Sequence, residues 1–230
     1  MSIAAILALV IGGMAPFLAN GTLNWQVMMG IGISVWLIAT SFVDIWKKTR
    51  GNLLKFGSLS LSFQGMVLAH IGVAISVIGV TMVANYSQEE SVRMAPGETY
   101  QLADYRFEFL ESGHIEGPNY SADATRFRVL EGEREVAILQ PEKRRYHARG
   151  SVMTEAAIDV GLFRDVYVSM GEPLDNGAWG MRLQVKPFMR WVWLGAIFMS
   201  IGGLMAMLDK RYRQVKRKTS SVQKSDEVPA

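Results

Sequence analysis

Leu59–Ala84 reads LSLSFQGMVLAHIGVAISVIGVTMVA, 26 residues without an Asp, Glu, Lys or Arg. At ~1.5 Å per helical residue this run reaches across a hydrocarbon core of roughly 30 Å, which predicts a transmembrane helix. His70 lies in the middle of it. An imidazole at that depth is costly unless it faces protein, water or a metal, so it marks a candidate site. Position alone leaves two readings open: a histidine hydrogen-bonded to a neighbouring helix, or a ligand of haem iron.

The same run carries a second pattern. Gly65, Ala69, Gly72, Ser76 and Gly79 recur at spacings of 4, 3, 4 and 3, which places them on one helix face. A row of small residues lets another helix approach closely. His70 falls about 140° from the centre of that row at ~100° per residue, beside Met66, Val73 and Val77. The helix is therefore expected to pack tightly on one side and to offer an imidazole on the other.

Three further apolar blocks flank this one, at residues 3–18, 23–46 and 188–208, and the third span itself covers 59–84. Asn20-Gly21 turns the first block into the second, as in a helical hairpin. No Lys or Arg precedes the first block, which argues against a signal peptide. Lys47, Lys48, Arg50 and Lys55 crowd the loop between the second and third spans, and Lys210, Arg211, Arg213, Lys216, Arg217, Lys218 and Lys224 follow the fourth. Basic loops stay inside, so both termini are expected in the cytoplasm and residues 87–187 outside. That outer segment holds 12 Lys and Arg against 17 Asp and Glu. The pI of about 9.2 thus reports topology and is no sign of nucleic-acid binding.

Residues 87–187 read as β structure. Tyr105, Phe107 and Phe109 alternate with Arg106 and Glu108, and Arg126-Phe127-Arg128-Val129 alternates likewise. Glu131-Gly132 turns into Val136–Leu139, while Asp165–Met170 and Trp179–Val185 are joined through Pro173, Asp175, Asn176 and Gly177. Thr154–Val160 suits either a strand or a helical turn. The expected fold class is membrane α+β: four transmembrane helices, with a small all-β extracytoplasmic barrel or sandwich between the third and fourth. Residues 1–86 hold three spans, 188–208 the fourth, and 209–230 form a basic cytoplasmic tail. Trp191 and Trp193 suit an aromatic belt at the outer interface.

The chain has no cysteine, which excludes disulfides, thiolate metal ligands and thiol chemistry by the protein itself. No nucleotide loop, paired zinc motif or serine triad is visible. His114 and His147 read as surface histidines, and Lys143-Arg144-Arg145 as a solvated strand end rather than an anion site. A transmembrane histidine, in contrast, is a standard ligand of b-type haem. Bis-histidine ligation needs a second imidazole at membrane depth, and the other two histidines lie in the polar segment.

Gly65-Met-Val-Leu-Ala-His70-Ile-Gly-Val-Ala and Asn85-Tyr-Ser resemble the haem-bearing helix and its exit in the CcmF family of bacterial cytochrome c maturation. Met153-Thr-Glu-Ala-Ala-Ile-Asp159, Arg164-Asp165, Gly171-Glu172, Asn176-Gly-Ala-Trp179, Lys186-Pro-Phe188, Arg190-Trp191 and Trp193 extend the resemblance in order over about residues 57–213. The resemblance implies a multi-pass protein of the bacterial inner membrane, part of a haem lyase that joins haem to apocytochrome c in the periplasm. It implies haem b as cofactor, ligated in part by His70, with the partner histidine upstream of this chain. The implied partners are the upstream portion of CcmF, the haem chaperone CcmE, CcmH, apocytochrome c and membrane lipid. The tryptophan-rich WWD segment of that family has no match here, so the chain looks like a carboxy-terminal part, expected to be inactive alone. Two other classes compete: a cytochrome b electron-transfer subunit, and a non-catalytic assembly scaffold.

Overall fold

A computed structural model describes residues 5, 6, 8–14, 24–148 and 150–209. The chain divides into two units, one of residues 1–81 and 191–230, the other of residues 82–190.

The first unit is helical. Among the described residues three helices are long and apolar enough to cross a membrane: α1, Trp25–Lys48; α2, Leu61–Tyr86; and α3, Met189–Leu208. Most of the first expected span, 3–18, lies outside the described residues, although residues 8–14 are helical. The expected tail, 209–230, also lies outside them apart from Asp209.

Capping fixes the ends of these helices. Asn24 Oδ1 accepts from the amides of Gln26 and Val27 at 3.0 and 3.4 Å, which satisfies two orphan donors at the start of α1. Lys47 and Lys48 sit in its last turn, where the helix dipole favours cations. At the start of α2, Ser62 donates its amide to Asp209 Oδ2 at 2.8 Å. The carboxylate just past α3 therefore caps α2 across 147 positions of sequence.

The second unit is a β sandwich of ten described strands: β1, Gln88–Met94; β2, Thr99–Leu102; β3, Tyr105–Glu116; β4, Tyr120–Glu131; β5, Arg134–Leu139; β6, Glu142–Tyr146; β7, Val152–Glu155; β8, Ala157–Val160; β9, Arg164–Pro173; and β10, Trp179–Pro187. One sheet runs β1-β10-β9-β8, and the other β2-β3-β4-β6-β7 with β5 also on β4. All pairings are antiparallel.

The alternation of Tyr105, Phe107 and Phe109 places all three inside, at 7%, 0% and 1% exposure. Phe127 stacks on Phe109 with ring centroids 4.8 Å apart. From the facing sheet, Val166, Val168, Met170, Met181, Leu183 and Val185 complete one core. At the β9–β10 connection Asn176 and Gly177 take φ of 60° and 73°, the left-handed turn conformation that these residue types tolerate best.

Two sequence expectations need correction. Thr154–Val160 is neither one strand nor a helical turn: β7 belongs to one sheet and β8 to the other, and the chain changes sheet at Ala156. Lys143-Arg144-Arg145 is the middle of β6, not a strand end. It went unread because a strand held by ion pairs shows no apolar alternation.

Candidate functional site

The helix α2 is held on two opposite faces. A Cβ on Gly72 would stand 2.7 Å from Gly195 O and 2.8 Å from Met199 N, and one on Gly79 would stand 2.7 Å from Val192 N. Gly65 meets the Gly202 carbonyl more closely still, and Gly195 and Gly202 meet α2 reciprocally. Ser76 Oγ donates to Val192 O at 3.0 Å. The small-residue row therefore faces α3 at backbone contact, where any larger residue collides with main-chain atoms.

The opposite face belongs to α1. Phe63, Val67, Ala74 and Thr81 are buried there, roughly 180° from the glycine row at ~100° per residue. Lys48 Nζ lies 3.7 Å from the Phe63 ring centroid at one end of this contact. At the other end, a Cβ on Gly30 would stand 2.9 Å from Thr81 Cγ2.

His70 lies on a flank that neither neighbour closes. Its side chain is exposed, as are Met66 and Val80, with Val73 and Val77 half-buried between them. The hydrogen bond to a neighbouring helix that the packing reading calls for is absent among the described residues. Among the described residues its ring nitrogens take no hydrogen-bond partner, so the imidazole could serve as a metal ligand. Sequence reasoning passed over Asp209, which fixes the start of this helix. Its signal was a lone carboxylate directly after an apolar span.

The sandwich keeps its histidines at the surface. His114 Nδ1 is 3.1 Å from Asp123 Oδ1 and Nε2 is 3.2 Å from Glu116 Oε1. The hydrogen bond to Asp123, and then that to Glu116, raises its pKa above the usual 6.5. His147 is exposed near the end of β6, its amide donating to Asn119 O at 3.1 Å. Lys143 ties the two sheets together, with Nζ 2.7 Å from Glu172 Oε1 and 3.0 Å from Gly171 O. Arg144 pairs with Glu142 at 2.8 Å and lies over the Tyr120 ring. Beside them His114, Asp123, Arg145 and Trp179 line a cleft of about 340 Å³. Among the described residues no group of three His, Asp or Glu side chains gathers to hold a metal ion.

Spans joined by close small-residue contacts, a β sandwich and one exposed imidazole on an apolar helix define a multi-pass membrane protein with a folded polar domain. Residues 85–187 match the family described as "CcmF C-terminal beta-sandwich". The cytochrome c-type biogenesis protein CcmF of Pseudomonas aeruginosa is 47% identical over 86% of this chain and 30% of its own length. That of Escherichia coli K12 is 37% identical over 92% of this chain and 32% of its own length. The chain belongs to the CcmF family of cytochrome c-type biogenesis proteins. It spans about a third of the length of these curated relatives. A solved structure, "Cytochrome c Heme Lyase CcmF", shares the fold, with a TM-score of 0.74 at 14% identity over 90% of this chain and 34% of that one.

Proposed function

We propose that this chain works as the carboxy-terminal part of a membrane haem lyase, with His70 as one axial ligand of a transmembrane haem b. One observation carries the reading: an exposed, uncommitted imidazole on the open flank of α2, about 14 Å from the start of that helix at 1.5 Å per residue. Relatives of the same family, named as cytochrome c-type biogenesis proteins, supply the setting.

When bound, haem b supplies a one-electron centre. His70 would hold the iron, with Met66, Val73 and Val77 as its apolar neighbours on the helix. A partner ligand and the residues that grip substrate haem would come from the upstream portion of a full-length CcmF. CcmE delivers haem, CcmH handles the thiols of apocytochrome c, and the cysteine-free chain leaves the sulfur chemistry to its substrate. The setting is the bacterial inner membrane, with residues 87–187 in the periplasm and both termini in the cytoplasm. The basic loop around Lys47–Lys55 against the acidic outer segment supports that orientation.

Optical spectra test the ligand. The chain purified alone should lack b-type bands, and co-production with the upstream portion should restore them. H70A should erase or shift them in that assembly, and an unchanged spectrum there makes His70 a packing residue. Gene deletion should abolish c-type cytochromes, whereas their survival favours a separate electron-transfer subunit. Alkaline phosphatase fused near Tyr120 should be active; activity at Arg50 instead reverses the orientation.

A further inference from the structure

We infer that the turn Gly161–Phe163 is a membrane-interface anchor, whose Leu162 and Phe163 side chains enter the headgroup–acyl boundary of the bilayer that α3 crosses. Both side chains are largely exposed, at 59% and 57%. Val160, at 52%, continues the apolar surface along the edge strand β8. Contiguous apolar surface of this kind on a folded polar domain calls for an occupant.

The place of the turn names that occupant. The β9–β10 pairing ends at Pro187↔Arg164, and β8–β9 ends at Val160↔Asp165. The turn stands at this end of the sheet, where β10 passes through Phe188 into Met189, the first residue of α3. Phe188 donates its amide to Phe163 O at 2.8 Å, and the two rings meet edge to face with centroids 5.7 Å apart. Phe163 therefore lies against the residue that precedes a membrane span. Trp191 and Trp193 follow within that span, and Lys186 and Arg190 flank its start, an aromatic and basic composition typical of the interfacial layer.

The turn is also built to present these side chains. Gly161 donates its amide to Asp165 Oδ1 at 3.1 Å, and a Cβ on Gly161 would stand 2.6 Å from Arg164 O. Arg164 donates to Asp159 and, at 2.9 Å, to Tyr105 OH. These bonds hold the polar neighbours inward and leave the tip apolar. The turn lies on a loop distant in sequence but packs against Phe188, one residue before α3 begins.

The absence of cysteine makes the test clean. Nitroxide attached to L162C or F163C in the full chain, reconstituted in phosphatidylcholine–phosphatidylglycerol nanodiscs, should collide several-fold more with oxygen than with an aqueous nickel chelate. E133C, in the fully solvated β4–β5 turn, should show the reverse. Nickel-dominated collisions at both 162 and 163 overturn the anchor. So does protection from both reagents, which assigns the patch to a protein partner, either a second copy or the upstream portion. Two independent sites guard against one misfolded variant, and each is read only with a far-UV spectrum matching that of the parent chain.

Discussion

The helical unit and the sandwich cohere by opposite means. In the sandwich, large side chains do the work: Phe107, Phe109 and Phe127 vanish from solvent, and their burial is driven by water. Between α2 and α3 the contact residues are Gly65, Gly72, Gly79, Gly195 and Gly202, the smallest available. Lipid tails are as apolar as leucine, so burying a large side chain between helices gains little, while close backbone approach gains dispersion. One chain thus shows that packing rules follow the solvent, not the protein.

The largest effect expected from breaking this contrast is in the sandwich. F127A should cost about 3–5 kcal/mol by cavity formation, visible as a lowered unfolding midpoint of the sandwich in near-UV dichroism. Between helices the sign of the size effect reverses. G72L adds apolar bulk yet should destabilise the α2–α3 contact by about 1–3 kcal/mol, because the collision is with the backbone of Gly195 and Met199. SDS titration followed by Trp191 and Trp193 fluorescence reads this, and a G72L chain as resistant as the parent would deny the contrast. D209A should cost about 1 kcal/mol by the same titration, through loss of the cap on Ser62.

The smallest effect is electrostatic and confined to the sandwich surface. The folded pKa of His114 is raised, so its contribution to stability is fully present below the ordinary 6.5 and is lost as pH rises through the folded value. NMR titration of the histidine ring carbons should show His114 titrating above 6.5 in the parent, with D123N returning it towards that value.

The sequence reveals much of this fold and hides the rest for identifiable reasons. Strands β3, β4, β9 and β10 are readable because one face of each enters the core, which imposes a period of two on Phe107 and Phe109 or on Val166 and Val168. The sheet-edge strand β1, QEESVRM, buries only Met94, and β6, EKRRY, buries no side chain fully, so neither shows a pattern. His70 was legible because a polar group in a charge-free run has no bland composition to hide in. Its helix's grip on α3 was legible on one side only. Gly195 and Gly202 are seven residues apart in a span rich in small residues, and their reciprocal role appears only once the two helices face each other.

The two stripes of α2 have a geometric corollary. Residues 65, 72 and 79 repeat every seven positions, as do 67, 74 and 81 on the other side. A helix clasped along opposite sides is the middle member of a row, not of a ring. A row has two broad flanks, and a further helix reaches the middle member only by lying across one of them, whereas the helical residues 8–14 lie against α1, at Met28 and Gly32. Among the described residues the flank with Met66, His70 and Val80 stays exposed, so a helix that lies across α2 there, beside the α1 seam, would meet the imidazole.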